Sequence, residues 1–331
     1  WRFFYFWDAL GCFGVHSGEK EEAPEDWSVI VGDVVLEWVN KFSGDYEDAP
    51  ITLGLAHFDG SVILEERLQL GGFPPHWLEG CNMHTLDISQ LCKTVMYFDD
   101  FFCADCPNLK KLDFGDDGLP KLVTIGCAFL QNSKVESIDL SKSTKLEVIE
   151  AHYLHRCTAL KTMTFGTLPQ FQDLNMYAME GCYALEEVDF SGLPALTKIG
   201  WNTLRMVPSE EEEDAAEEDP EGAATLLTSA LTKVTFGKHP ELVVIDEMFC
   251  MNATRLTGTV DLSGAFNLQR IQHYFLLDTA VTAVVLGDMP SLEFIGTDFL
   301  TNCEQLVSVT LGKMPQLATI QLEFLACAKS L

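Results

Sequence analysis

Apolar residues recur at fixed positions along most of the chain, and the unit that opens at Leu185 shows the pattern clearly. Its segment from Glu187 to Ser191 alternates between polar and apolar residues, which is the period of a short, half-buried β-strand. Pro194 follows three residues after Ser191, so the chain is expected to turn there. The rest of the unit carries Leu, Ile and a further Leu at positions that would face the same core.

Nine units of this kind follow one another. They open at His84, Leu109, Val135, Leu160, Leu185, Leu231, Leu256, Val281 and Leu306. Successive openings are 25 or 26 residues apart, except that 46 residues separate Leu185 from Leu231 because this unit carries an insertion. One unit cannot enclose its own hydrophobic face, so the units must stack, with their strands in a parallel sheet at ~4.8 Å per rung.

The ends of several units resemble the phrase IGxxAFxxCxxL of the leucine-rich-repeat family, in particular its BspA-like class. The matching residues are Ile125-Gly126 before Phe129-Leu130, Ile199-Gly200 with Leu204, and Ile295-Gly296 with Leu300 and Cys303. The resemblance implies an α/β-type repeat solenoid, a horseshoe or arc with a parallel strand face and about nine 25-residue units. Because this family is known mainly for protein binding and adhesion and shares no catalytic residues, the resemblance also implies a non-catalytic interaction role.

The chain divides into two regions by its fit to the repeat. Residues 1–80 fit poorly and are predicted to be an N-terminal capping region, partly helical, because residues 26–42 place apolar side chains at near-helical spacing. Residues 81–331 form the predicted solenoid, interrupted by an acidic loop at 207–229. The last residue, Leu331, opens a tenth unit, so we expect the solenoid to be truncated at its C-terminal end.

The charge of the chain narrows the class of partner. Lys and Arg number 21 and Asp and Glu number 50, for a net charge of −29. This charge argues against nucleic acid and anionic membrane surfaces as partners, and it favours a basic protein. The apolar start WRFFYFW is too short to span a bilayer, so no membrane insertion is expected in this segment.

Acidic residues occupy the middle outward position of several predicted strands. They are Asp87, Asp113, Asp139, Asp189 and Asp261, with Glu187 beside them, if the units holding Asp87 and Asp261 contain one-residue slips. Stacked like charges at ~5 Å repel by about 1 kcal/mol per pair even in water. Two interpretations remain open: basic side chains of a partner offset this repulsion, or each Asp bonds the backbone of its own turn.

The insertion is the second candidate contact. Nine acids lie between Glu210 and Glu221, among them Glu210, Glu211, Glu212 and Glu213. Such a run repels itself and cannot bury a core, so it is expected to be a solvated loop that either docks on a basic partner or has no binding role.

The cysteines fit the repeat better than they fit a metal site. Five of the eleven lie three residues before a unit opens, where other units have Asn132, Ala253, Asp278 or Ala328; these five are Cys81, Cys106, Cys157, Cys182 and Cys303. Small buried residues in a turn ladder explain this spacing, so the cysteines are expected to be reduced, which favours an intracellular over a surface location. Cys103 and Cys106 form a CxxC pair, but Cys106 belongs to the ladder and Cys103 to the adjoining inward position, so both are expected to serve packing and we expect no metal and no cofactor. Phosphate-binding loops and nucleophile elbows are absent from the sequence, so an enzyme is not expected.

Three other functions remain as alternatives to a scaffold. Residues 22–42 faintly resemble the helical F-box that precedes repeats in substrate adaptors of ubiquitin ligases. A surface adhesin is the role implied by the bacterial BspA-like proteins. A structural subunit of a large assembly is the third.

Overall fold

The computed structural model describes residues 3–7, 12–16, 61–64, 71–208 and 228–331. Strands β1 (Phe3–Trp7) and β2 (Cys12–His16) form an antiparallel pair. The described residues from 61 onward form ten stacked coils of a parallel β-solenoid, and each coil contains one long and one short strand. The helix expected over residues 26–42 lies outside the described residues.

The long strands lie on one side of the stack and define the long-strand face. They are β3 (Ser61–Ile63), β5 (Thr85–Asp87), β7 (Lys111–Asp113), β9 (Ser137–Asp139), β11 (Thr162–Thr164), β13 (Glu187–Asp189), β15 (Lys233–Thr235), β17 (Thr257–Asp261), β19 (Ala280–Gly287) and β21 (Ser308–Leu311). They form three parallel sheets, β3-β5-β7, β9-β11-β13-β15 and β17-β19-β21. The second and third of these sheets are separated between β15 and β17. In β17 the register of its pairing with β19 also shifts, between Gly258 and Thr259.

The short strands form one continuous ten-stranded parallel sheet. They are β4 (Gly72–Phe73), β6 (Tyr97–Phe98), β8 (Thr124–Ile125), β10 (Val148–Ile149), β12 (Asp173–Leu174), β14 (Lys198–Ile199), β16 (Val244–Ile245), β18 (Arg270–Ile271), β20 (Phe294–Ile295) and β22 (Thr319–Ile320). Because β3 and β4 pair in register with β5 and β6, one coil precedes the nine units that the sequence indicated.

A left-handed segment follows each short strand and replaces the helix implied by the α/β description. In the third coil Ala128, Leu130 and Asn132 all have positive φ, between 56° and 57°. The N–H groups of Ala128 and Asn132 bond to the next coil, and that of Leu130 bonds to the preceding coil, each at 2.9 Å. Alternating left-handed residues therefore satisfy the backbone between coils. In the described part of the chain the one helical element is a 3-10 turn at Ser89–Leu91, so the α/β description needs correction, and the horseshoe curvature stays a prediction.

Buried aromatic rings stack from coil to coil inside the solenoid. Trp77, Phe102, Phe129 and Tyr153 form one such stack, with centroid separations of 5.5 to 5.7 Å. Rings at equivalent positions of adjacent coils meet because the coils are in register; the four rings of this stack meet face to face, whereas Phe165, Phe190 and Phe236 meet at a tilt. The repeat therefore determines both the backbone register and the packing of the core.

The insertion after Val207 does not interrupt this stacking. β13 pairs directly with β15 and β14 with β16, so the coils on either side of the insertion are neighbours. An insertion at the edge of a coil therefore leaves the core continuous, as expected for a repeat protein.

Candidate functional site on the long-strand face

The acidic residues predicted for the long-strand face lie at equivalent positions. Asp87 is opposite Asp113, Asp139 is opposite Thr164, Asp189 is opposite Thr235, and Asp261 is opposite Val285. The register of the predicted acidic positions is therefore confirmed. We call Asp87, Asp113, Asp139, Asp189 and Asp261 the aspartate column.

Each carboxylate of the aspartate column bonds the backbone of its own turn. In every case Oδ1 accepts a hydrogen bond from the N–H group two residues later, at 2.8 or 2.9 Å; the donors are Ser89, Gly115, Ser141, Ser191 and Ser263. Such Asx turns explain why Asp recurs at the end of the strand. They use one carboxylate oxygen and hold the other in a fixed direction, so a structural role and a binding role are compatible.

Lysines interrupt the acidic surface. Lys111 pairs with Asp113, and Lys233 lies 3.8 Å from Glu187. The hydrogen bond from Lys111, together with the N–H of Gly115, lowers the pKa of Asp113. Asp87, Asp139, Asp189 and Asp261 make no ion pair with any described residue, so four of the five carboxylates of the aspartate column are left without a cationic partner.

Three of the unpaired carboxylates lie in every second coil. Asp139, Asp189 and Asp261 alternate with Thr164 and Thr235 along the column. Two rungs of a parallel sheet span about 10 Å, at which two charges in water repel by only ~0.4 kcal/mol. Mutual repulsion among these three carboxylates is therefore weaker than it would be in a continuous stack of acids.

A groove opens where the long-strand face is interrupted between β15 and β17. It has a volume of about 470 Å³ and lies between Glu187 and Asp261. Its remaining wall is rich in threonine hydroxyls, from Thr232, Thr235, Thr257 and Thr259. This groove provides hydrogen-bonding groups beside two carboxylates.

The small residues of the predicted turn ladder pack inside the solenoid, but in two units the buried residue is one position later than predicted. The thiols of Cys106, Cys157, Cys182 and Cys303 donate to carbonyl oxygens of the preceding coil at 3.0 to 3.2 Å. Ser133 and Thr279, rather than the predicted Asn132 and Asp278, occupy the equivalent buried positions, since Asn132 and Asp278 are the left-handed residues just before them. Within the described ranges, groups of three or more metal-binding side chains are absent.

Glu210, Glu211, Glu212 and Glu213 lie outside the described residues. The residues that flank the insertion are anchored to neighbouring coils: Met206 N–H bonds to Met251 O at 2.9 Å and Ala230 N–H to Tyr183 O at 2.7 Å. Ala230 leads directly into β15, so the insertion returns to the solenoid beside the long-strand face.

Sequence reasoning missed a group of polar residues on the left-handed segments. His155, Glu180 and Arg205 lie in consecutive coils, and His152, Tyr177 and Asn202 form a second row beside them. The 25-residue spacing within each row is a signal that could have revealed both rows.

Among the described residues, the structure contains no helix with the length and hydrophobicity needed to cross a membrane.

Comparisons with known proteins agree with this architecture. A family model for the BspA type leucine rich repeat region matches residues 74–207 in six copies. A leucine-rich repeat protein from Bacteroides ovatus has the same fold, with a TM-score of 0.51 at 12% identity over 97% of this chain and 79% of that one. The functional domain of InlJ from Listeria monocytogenes, which includes a cysteine ladder, has a TM-score of only 0.20 at 15% identity over 71% of this chain and 64% of that one. No curated protein sequence matches the chain. Residues 74–207 therefore match the BspA type of leucine-rich repeat, and the same coil architecture continues beyond the insertion to β22.

Proposed function

We propose that this chain is a non-catalytic protein-interaction scaffold whose long-strand face binds a basic, extended segment of a partner protein. The observation that carries the proposal is the set of three unpaired carboxylates, Asp139, Asp189 and Asp261, each oriented by its own Asx turn. A fixed carboxylate loses little conformational entropy when it binds a cation, so such a column is suited to recognition. Leucine-rich repeats are typically used to bind proteins, which agrees with this role.

The spacing of the carboxylates indicates the form of the partner. A polyproline II segment rises ~3.1 Å per residue and has three residues per turn, so every third side chain points the same way at about 9 Å intervals. This interval matches the distance of about 10 Å between carboxylates two coils apart. The partner would therefore present Lys or Arg at every third residue, along the axis of the solenoid.

The overall charge and the insertion would assist this encounter. The net charge of −29 attracts a basic segment over long range and raises its association rate at low ionic strength. Glu210 to Glu213 would add to this attraction, because the insertion returns to the solenoid beside the long-strand face. Their contribution would be electrostatic and sensitive to salt.

A charge-removing variant tests the proposal without disturbing the turns. In the triple variant Asp139→Asn, Asp189→Asn and Asp261→Asn, each amide oxygen can still accept the backbone N–H while the negative charge is lost. The control variant Glu147→Gln, Glu241→Gln and Glu293→Gln removes the same charge from exposed residues outside the long strands. Both variants should keep the melting temperature of the parent.

Two proline-rich peptides of equal composition serve as probes. One carries Lys at every third residue, and the other carries all its Lys residues at one end. The parent chain and the control variant should prefer the spaced peptide, whereas the triple variant should bind it at least about tenfold more weakly, as expected for loss of three charge pairs worth ~0.5 kcal/mol each. Equal affinities of the triple and control variants, measured by calorimetry at low and high salt, would contradict the proposal.

A further inference from the structure

The coils of the long-strand face are not bonded to one another uniformly. At several interfaces the N–H group that directly follows one long strand donates to a carbonyl oxygen of the next long strand, at 2.8 or 2.9 Å; these donors are Leu64, Ile88, Leu140, Phe190 and Leu262. The equivalent N–H groups of Phe114, Phe165 and Phe236 make no backbone hydrogen bond to a described residue. The bond that closes the other interfaces is therefore missing between β7 and β9, between β11 and β13, and between β15 and β17.

Strand pairing is interrupted at the same places. β7 and β9 belong to different sheets, as do β15 and β17, and β11 pairs with β13 only through Thr162 and Glu187. The strand after each interruption ends in one of the three unpaired aspartates that alternate along the column: Asp139, Asp189 or Asp261. Each of these carboxylates therefore lies where two coils are held together less closely.

The groove between β15 and β17, which we call the β15–β17 groove, is larger than the one between β11 and β13. Their volumes are about 470 Å³ and about 380 Å³. Phe236 lines the β15–β17 groove and is partly exposed, whereas the equivalent Phe165 in the smaller groove is only 1% exposed. Gly258, also in the lining, has no atom within 4 Å of the position that a Cβ would take. The β15–β17 groove is therefore open enough for a ligand to reach an aromatic residue.

The charges around the β15–β17 groove leave one negative charge uncompensated. Lys233 lies 3.8 Å from Glu187, so these two side chains largely cancel. Asp261 is exposed, and its Oδ1 accepts from the N–H of Ser263 at 2.8 Å, which leaves Oδ2 free. Thr235 occupies the equivalent position of the preceding coil and also lines the groove. The groove thus combines one anionic acceptor with a hydroxyl group and an aromatic side chain.

Of the two basic side chains, arginine fits this combination better than lysine. A guanidinium is planar and weakly hydrated, donates several hydrogen bonds in one plane and stacks on aromatic rings. An ammonium is a compact and strongly hydrated charge, so it gains less from the aromatic residue. An acidic side chain would be repelled by Asp261, and an apolar one would leave its carboxylate without a counter-charge.

We propose that the β15–β17 groove takes the side chain of one arginine of the bound partner. The inference rests on the proposed function, because this arginine is one of the basic residues of the segment that lies along the aspartate column. Its guanidinium donates to Oδ2 of Asp261 and to the hydroxyl oxygen of Thr235, with its plane against Phe236. At the narrower interfaces beside Asp139 and Asp189, the basic residues of the partner are exchangeable between Lys and Arg.

Nuclear magnetic resonance on the full chain, labelled with ¹⁵N-glycine, tests this groove. Gly258 is the reporter because it lines the groove, and its N–H signal is identified by its loss in Gly258→Asn. Gly80, in the first coil, is the internal reference. The probes are N-acetyl-argininamide and N-acetyl-lysinamide, single residues of equal charge that need no partner segment.

The arginine derivative should shift the Gly258 signal saturably, and the lysine derivative should bind at least about fivefold more weakly because it lacks the stacked, two-donor contact. Phe236→Leu should abolish this preference. Leu140 and Leu262 occupy the equivalent position in other coils, so the variant should fold. Phe165→Leu, which makes the same change in the smaller groove, is the matched control and should keep the preference.

A second pair of variants tests the carboxylate. Asp261→Asn should weaken binding of the arginine derivative by at least about fivefold, whereas Asp139→Asn, at the interface of β7 and β9, should leave it unchanged. Equal binding of the two derivatives, no response of Gly258 to either of them, or equal effects of the two Asp→Asn variants would overturn the proposal. Because single residues do not depend on the spacing of a segment, these outcomes are independent of the peptide-binding test of the proposed function.

Discussion

Nδ1 of His239 donates a hydrogen bond to the carbonyl oxygen of Leu193 at 3.0 Å, and so joins the two coils on either side of the insertion. Its Nε2 accepts from the N–H of Gly237 at 3.1 Å. His239 is fully buried and occupies the core position that Leu193 occupies in the preceding unit. Only the neutral imidazole can make both bonds, because a protonated ring has no acceptor.

The first prediction concerns acid stability and follows from this histidine. Burial lowers the pKa of His239, although its bond to Leu193 opposes the shift. A histidine whose folded pKa is depressed stabilises the fold above its unfolded pKa of about 6.5, and this stability is lost as pH falls below that value. Replacing the ring with His239→Leu, which restores the side chain found at Leu193, should therefore reduce the loss of stability between pH 7 and pH 5.

Urea unfolding of the parent and the variant at pH 7, 6 and 5 provides the measurement. Carboxylates and the partly buried His152 and His155 contribute the same acid dependence to both proteins, so the difference between the two slopes isolates His239. Identical slopes would show that His239 does not titrate differently in the folded and unfolded chains.

The second prediction is that the turn-ladder thiols are unreactive in the folded chain. Burial raises the pKa of Cys157 to about 12, and its thiol donates to Leu130 O at 3.0 Å. Because the thiolate is the reactive form, iodoacetamide at pH 8 should label the exposed Cys327 much faster than Cys157. Mass spectrometry of labelled peptides with and without urea checks this order. Comparable labelling of the two cysteines without urea would mean that the ladder opens readily.

The third prediction concerns the left-handed segment. Asn132 has a φ of 56°, and Gly80 and Gly181 occupy the equivalent position in other coils. A left-handed residue with a Cβ is strained by about 1–2 kcal/mol. Asn132→Val should therefore be less stable than Asn132→Gly by about that amount in denaturant unfolding. Gln131, next to it but not left-handed, is the control, and there Val should be at least as stable as Gly.

The fourth prediction concerns the stacked aromatic core. Phe129 is fully buried and stacks with Phe102 at 5.5 Å and Tyr153 at 5.7 Å. Phe129→Ala should lower the free energy of unfolding by about 3–5 kcal/mol. Phe266 is 45% exposed, and Phe266→Ala should change it by less than ~1 kcal/mol.

Hydrogen exchange should show that the loss at Phe129 is local. Each coil of a solenoid contacts only its neighbours, so protection should fall most in the coils next to Phe129 and least beyond the insertion. A uniform fall of protection along the chain would instead indicate that the described coils unfold as one cooperative unit.

The sequence determined the 25-residue period, the inward positions and the register of the aspartate column. Hydrophobic residues at a fixed spacing can be buried together only if each coil stacks directly on the preceding coil. The placement of Asp139 opposite Thr164 then follows without knowledge of the backbone.

Only the tertiary structure decided how each coil closes and what its polar atoms contact. The N–H groups of residues such as Leu130 find their acceptors in another coil, so the local sequence does not reveal that a left-handed segment replaces a helix. The same cause placed Ser133 rather than Asn132 in the turn ladder, because a shift of one residue changes the direction of a side chain but leaves the hydrophobic spacing almost unchanged. The contacts of Glu180 with Arg205 and His155 likewise depend on coils that are adjacent in space but 25 residues apart in sequence.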